Sequence, residues 1–193
     1  MHHARTEPKR TFVLLRWGLI PFWAKDASIG PKTINVMSET AAEKPAFRDA
    51  MKLRRCLIPA DGFYEWKQLG TKVKQPYNFG MADNALFAFA GLWECWGGPS
   101  SESIETFTIL TTKPNSLVAD VHDRMPAILK PEDYELWLDP GVTNVALVTD
   151  TLKPFDAQWM KKWPVSTRVN RVENDDEECS QEAPIAAAMP TLF

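Results

Sequence analysis

From Cys56 to Thr111 the chain runs in short stretches of mixed apolar and polar residues, broken by Gly, Pro, Asn and Asp. Such runs predict strands rather than long helices. Cys56–Ala60 and Gly62–Lys67 read as extended segments. Pro76–Met81, Leu86–Trp93 and Glu105–Thr111 read as successive strands, and in the last Phe107, Ile109 and Thr111 share one side. Thr11–Arg16, Thr33–Val36, Met125–Leu129 and Val145–Val148 read as further strands, and Pro164–Asn170 as extended. Helical signals are few. Pro45 suits a first helical turn, with Phe47 and Met51 on one face and an end near Arg55. Asn115–Val121 reads as a brief helix or turn. Pro131–Leu138 opens with acids where the helix dipole favours them. Lys153–Lys162 places Phe155 and Trp159 four apart, as on a helix. Helices and strands do not alternate regularly, which argues against a doubly wound parallel sheet. The expected class is α+β: a β-rich, barrel-like sheet with short flanking helices.

The size, 193 residues and 21.9 kDa, fits one domain. No apolar run approaches the ~18 residues of a membrane span, and MHHARTEPKR has no signal-peptide core, so a cytoplasmic protein without membrane contact is expected. The three cysteines, Cys56, Cys95 and Cys179, lack metal spacing and are odd in number, so reduced thiols are expected and no cofactor is implied.

The net charge of −3 seems to exclude a polyanionic partner, but it averages two unlike halves. Residues 1–75 carry 14 Lys and Arg against 7 Asp and Glu, and the remainder carries 8 against 18. Such a split reads either as a polyanion-facing surface or as a solvated basic helix around Lys52, Arg54 and Arg55.

Three polar residues stand in apolar or structured surroundings: Asn35 in TINV, Glu65 between Tyr64 and Trp66, and His122 in VHDRMP. Desolvation would raise a Glu toward a useful acid–base range, and His titrates near neutrality. Alternatively, Glu65 is a surface carboxylate or a partner for a nearby base, and His122 only bonds backbone. Of the eight tryptophans, Trp137 and Trp159 read as core. Trp17 and Trp66 read either as barrel-end closures or as a platform for unpaired bases. The sequence contains no GxSxG, HExxH, P-loop or CxxC motif.

The blocks WGLIPFWAKD, INVMSET, CLIPADGFYEWK, AFAGLWE, TILTT, VHDRMPAIL and PVSTRVN, in this order, resemble those of the SOS-response-associated peptidase (SRAP) family. The resemblance runs from about Leu14 to Asn174. It implies a sensor of abasic sites in single-stranded DNA, acting in the DNA damage response. In that family an N-terminal Cys, exposed by self-processing, attacks the ring-opened sugar and closes a thiazolidine crosslink. The resemblance makes Asn35 a positioning group for nucleophile and sugar. It makes Glu65 a proton-transfer group and His122 an aid to ring opening and crosslink reversal. It also suggests Arg16, Trp17, Trp66, Arg124 and Arg168 as DNA contacts.

Two departures change the expectation. The family opens Met-Cys-Gly-Arg a few dozen residues before its WGLIP block, whereas this sequence has no Cys near Met1. It therefore reads as an SRAP domain over 1–174 shortened at its N-terminus, with an acidic disordered tail over 175–193. Met37 stands where the family usually has an Arg on a DNA phosphate. The alternatives are a non-covalent single-stranded DNA binder or inactive paralogue, and a hydrolase pairing Glu65 with Asp61 or Asp123. A monomer is expected. Met189–Phe193 loosely resembles peptides that hook the replication sliding clamp, though the usual Gln is missing.

Overall fold

A computed structural model describes residues 10–71, 73–97 and 103–185. Its strands are β1 (Arg16–Trp17), β2 (Asn35–Met37), β3 (Arg55–Ala60), β4 (Phe63–Leu69), β5 (Val73–Met81), β6 (Phe87–Gly97), β7 (Ser103–Thr112), β8 (Met125–Pro126), β9 (Ile128–Leu129) and β10 (Met160–Pro164). The α-helices are short: α1 (Ser38–Ala41), α2 (Arg48–Leu53), α3 (Tyr134–Leu138) and α4 (Val145–Thr149).

Two sheets result. The larger is built on the antiparallel pair β6–β7, with β3 antiparallel beside β6 and β1 and β2 parallel beside β7. The smaller has the order β10-β5-β4, all antiparallel. Asp61 and Gly62 carry the chain from one to the other. A Cβ at Gly62 would stand 2.7 Å from Asn78 Oδ1, so only a glycine lets the crossing lie this close to β5. The barrel-like expectation is corrected accordingly. The fold is α+β and β-rich, but β3 and β4 do not pair and the sheets do not close.

The segment Met125–Leu129 is a wedge. Its first half pairs with β7 through Thr111 and Thr112, and its second half pairs with β6 through Ala88 and Phe89. At the bend, Ala127 N–H donates to Leu110 O, and Ala127 O accepts from Ala90 N–H, both at 2.8 Å. The wedge therefore enters where β6 and β7 part beyond Gly91–Ile109.

One core lies beneath the helices and includes Leu19, Met51, Leu110, Trp137 and Val148. The other lies between the sheets, with Phe63 and Phe79 of the small sheet against Phe89, Ile109, Val118 and Met125. Phe63 stacks on Phe79 at 5.0 Å and meets Phe89 edge-on at 6.0 Å. Burying these rings gives the sheets a common support.

Several local expectations are corrected. Val145–Thr149 is helical, because Asn144 accepts from Ala146 N–H and a short apolar run fits either structure. Lys153–Lys162 is not a helix. Asp156 caps a single 3-10 turn, Pro154 denies a backbone donor, and Met160–Pro164 is recruited by β5. Trp159, read as core, is exposed, whereas Trp137 is fully buried. Thr11–Arg16 forms no strand apart from Arg16 at its end, and Phe12, Val13 and Leu14 are exposed. Residues 175–185, drawn from the sequence as disordered tail, lie against β10. Ala183 N–H donates to Pro164 O, Trp163 Nε1 donates to Ser180 O at 2.6 Å, and Cys179 is buried. The Met189–Phe193 peptide lies outside the described residues.

The basic cluster is largely internal. Arg54 pairs with buried Glu94 at 2.6 Å. Arg55 is buried and donates to four carbonyls, those of Met51, Lys52, Trp137 and Asp139. The solvated-helix reading of these residues is therefore replaced by a structural one.

Candidate functional site: a Glu–His pair between the sheets

Glu65 lies on β4 of the small sheet, and His122 on the loop that feeds the wedge of the large sheet. They meet with His122 Nε2 3.8 Å from Glu65 Oε2. This exceeds hydrogen-bond length. An oxygen placed about 2.8 Å from each atom would complete a triangle, so both groups can address one substrate oxygen.

The other ring nitrogen is held by backbone. Arg124 offers it both a donor and an acceptor: its N–H and its carbonyl O each stand 3.1 Å from His122 Nδ1, so that nitrogen can accept or donate. In the protonated ring Nδ1–H faces Arg124 O at 3.1 Å and the Asp123 carboxylate at 3.3 Å. Each protonation state thus finds a partner, as a proton relay requires.

Burial pushes the Glu65 carboxyl up; His122 partly offsets this and Asp123 adds to it. The linkage has a definite sign. A carboxyl raised by the fold binds its proton more tightly when folded, so stability falls as pH rises from its ordinary value near 4.5 through its folded value. Glu65→Gln is therefore expected to unfold at higher temperature than the unchanged chain at pH 8. The gain should vanish by pH 4, as thermal melts across that range would show. A constant difference would reject burial as the cause.

Arg124 is committed within the protein. It forms a bidentate pair with Glu39 at 2.9 and 2.8 Å, and Nη2 donates to Thr111 O at 2.6 Å. This pair holds Glu39 below the usual carboxylate range. Its place is that of a brace under His122, tying the loop to α1 and β7.

Asn35 is exposed on β2, paired with Ile109, two residues before Met37, which pairs with Thr111. Trp17 is near it: its indole N–H donates to Ile34 O at 2.8 Å, and its ring stacks on Phe107, 6.2 Å away and 8° from parallel. Gly18 makes this approach possible. Its φ is +111°, and a Cβ there would stand 2.6 Å from Gly30 O. Arg16 precedes Trp17 on β1, exposed.

Trp66 follows Glu65 on the strand and so projects from the opposite side of β4. Its indole N–H donates to Asn170 at 2.7 Å, and with Lys74, Val169, Asn170 and Val172 it lines an open groove of about 500 Å³. Arg168 is nearby in sequence but engaged by the acidic segment, paired with Asp176 and, at 3.5 Å, with Glu178. The structure thus joins Glu65, His122 and Arg124 directly, sets Asn35 and Trp17 together along β7, and puts Trp66 and Arg168 elsewhere. Sequence reading missed Glu39 and Asp120. A Glu two positions after Met37 was the only available sign of the first.

Among the described residues, no cluster of three or more His, Cys, Asp or Glu could hold a metal, and no helix is long and apolar enough to cross a membrane.

The profile of the family described as SOS response associated peptidase (SRAP) matches residues 1–172. The chain is 49% identical over 164 residues to abasic site processing protein YoqW of Bacillus subtilis, covering 85% of this chain and 73% of that one. It is 34% identical to abasic site processing protein HMCES of Gallus gallus, covering 94% of this chain and 60% of the relative. A solved structure of a protein from Bacteroides thetaiotaomicron superposes with a TM-score of 0.81 at 35% identity, covering 88% of this chain and 76% of that one. Motif order, fold and these likenesses agree: the chain belongs to the SRAP family.

Proposed function

We propose that this protein acts on abasic sites in single-stranded DNA, with Glu65 and His122 exchanging protons with the ring oxygen and anomeric hydroxyl of the opening sugar. The observation that carries the reading is the Glu65–His122 approach of 3.8 Å, made by residues 57 apart in sequence, one on β4 of the small sheet and one on the loop leading into the large sheet. Relatives sharing about half of its residues are named abasic site processing proteins.

An abasic sugar opens to an aldehyde when its ring oxygen gains a proton and its anomeric hydroxyl loses one. The two oxygens share one carbon, so a donor facing the ring oxygen and an acceptor facing the anomeric hydroxyl, their own atoms 3.8 Å apart, suit that exchange. Where an N-terminal cysteine is supplied, its amine condenses with the aldehyde, losing one water. Its thiol then adds to the imine carbon and closes a thiazolidine, with no net oxidation or reduction. Cys56, Cys95 and Cys179 cannot do this, since their nitrogens are in peptide bonds. Burial also pushes the Cys56 thiol up to about 12, which keeps it from attack. Without such a terminus the second reading applies: non-covalent recognition of the same DNA.

The test uses a single-stranded oligonucleotide carrying one abasic site and an intact control. Each is mixed with the 193-residue chain and with the same chain extended to a Cys-initiated N-terminus. The extended protein is expected to give a denaturation-resistant shifted band with abasic DNA alone, and the 193-residue chain a non-covalent preference for it. No band and no preference would reject both forms.

Met37 is exposed on β2, two residues from Asn35 and therefore on the same side. Met37→Arg is expected to tighten single-stranded DNA binding and steepen the salt dependence by about 0.7 in log K against log salt. Titrations from low to high salt would measure it. An unchanged slope would mean that position 37 does not face phosphate.

A further inference from the structure

We infer that Asp120 is a positioning residue, which sets the distance between Glu65 and His122 by clasping Lys67 and Lys162 of the small sheet. This inference rests on the proposed function only for its consequence, not for its geometry.

The two members of the pair have separate supports. Glu65 belongs to β4. His122 belongs to a loop that enters from the large sheet. The loop is anchored in the core at Asn115 and Val118: Asn115 Oδ1 accepts from Leu117 and Val118 N–H at 3.1 and 3.0 Å, and Asn115 Nδ2 donates to Phe155 O at 2.7 Å. It is anchored again at Met125, fully buried in β8. Between these points Arg124 ties it to Glu39 and Thr111, which belong to the large-sheet side.

Only Asp120, among the described residues of the turn from Ala119 to Arg124, makes a hydrogen-bonded ion pair with the small sheet. One carboxylate oxygen takes Lys67 Nζ at 2.7 Å, and the other takes Lys162 Nζ at 2.6 Å. Lys67 is two residues from Glu65, hence on its side of β4. Lys162 comes from β10, across β5, and stands 5.7 Å over the Tyr77 ring, while Tyr77 is itself the cross-strand neighbour of Glu65. The clasp therefore ties the His122 turn to the strand that carries Glu65 and to β10, on the far side of its neighbour strand β5. Both lysines are more than half covered, so their motion is restricted in a way that exposed pairs lack. Two cations hold the Asp120 carboxyl down at about 2, so the clasp stays charged while the raised Glu65 carboxyl titrates.

The test measures the coupling of the pair. The charged group facing both Glu65 and His122 is Asp123, and Asp120, Lys67 and Lys162 form the clasp; a double-mutant cycle removes their direct effects. The Glu65 carboxyl is titrated by carbon NMR in the unchanged chain, in His122→Asn, in Asp120→Asn and in the double variant. His122→Asn is expected to raise the Glu65 midpoint, because the imidazolium no longer favours the carboxylate. With Asp120→Asn present, that rise should fall to less than half. An equal rise in both backgrounds would overturn the proposal. Lys67→Gln repeats the cycle with the loop charge intact, should Asp120→Asn fail to give a folded amide spectrum.

A parallel rate measurement on abasic single-stranded DNA, with the Cys-initiated protein, should show Asp120→Asn slowed roughly ten- to hundredfold, the scale set by small misplacements of reacting groups. Lost coupling with an unchanged rate would keep the positioning role and overturn the assignment of the chemistry to this pair. A slower rate with full coupling would overturn the positioning role.

Discussion

Arg55→Ala is expected to cost the fold about 3 kcal/mol or more, since unsatisfied buried acceptors cost about 1–3 kcal/mol each and solvent can reach only some of those left behind. Arg55 Nε donates to Trp137 O at 2.6 Å, and Nη1 donates to Met51 O at 2.9 Å and Lys52 O at 2.7 Å. Nη2 donates to Asp139 O. These carbonyls belong to the C-terminal ends of α2 and α3, where the backbone leaves acceptors without helical partners and where a cation is favoured. One guanidinium thus closes two helices and joins them across β3. Burial lowers the Arg55 pKa and Asp139 partly restores it, but an Arg stays charged throughout the working range. The melting temperature should fall by roughly 6–12 °C at that cost. Arg55→Lys keeps the charge but loses the planar fork, and should fall between. Urea denaturation of the three proteins measures the series. An Arg55→Ala midpoint equal to that of the unchanged chain would refute the closure.

His122→Ala and Glu65→Gln should each slow the reaction of the Cys-initiated protein with abasic single-stranded DNA by about 10²- to 10⁴-fold, the usual contribution of a positioned acid or base. The double variant should be little slower than either single one, because groups that serve one proton exchange act as a unit. Single-turnover reactions on denaturing gels, run across pH, provide the rates. Additive losses would mean that the two residues serve different steps. His122→Ala at an undiminished rate would remove it from the chemistry.

How far the sequence could be read depended on whether the signal was local. The strands from Cys56 to Thr111 were legible because each carries its own period and turn residues. Glu65 and His122 were legible as individuals from their motif blocks. Their contact was not, because it depends on β4 leaving the large sheet at Gly62 and on the wedge turning at Ala127. Val145–Thr149 and Met160–Pro164 were misread for the same reason. Runs as short as five residues suit either structure, and only a neighbour such as Asn144 or β5 decides between them. Charge was the least legible property. The excess of bases in residues 1–75 suggested a free cationic surface, yet Arg54 pairs with Glu94, Arg55 with carbonyls, and Lys67 with Asp120. Counting charges cannot reveal which of them are already paired.

The bend at Ala127 also bears on the timescale of the loop that carries His122. Its N–H is bonded to Leu110 and its carbonyl to the N–H of Ala90, so it is held by both strands of the large sheet at once. Neither amide can exchange its proton with solvent while β6 and β7 hold their places. Local breathing of the exposed turn therefore stops at Met125, and the base of the loop opens only in the rare events that open the whole sheet. The imidazole thus sits on a short arm whose hinge is backbone bonded to both central strands of the large sheet.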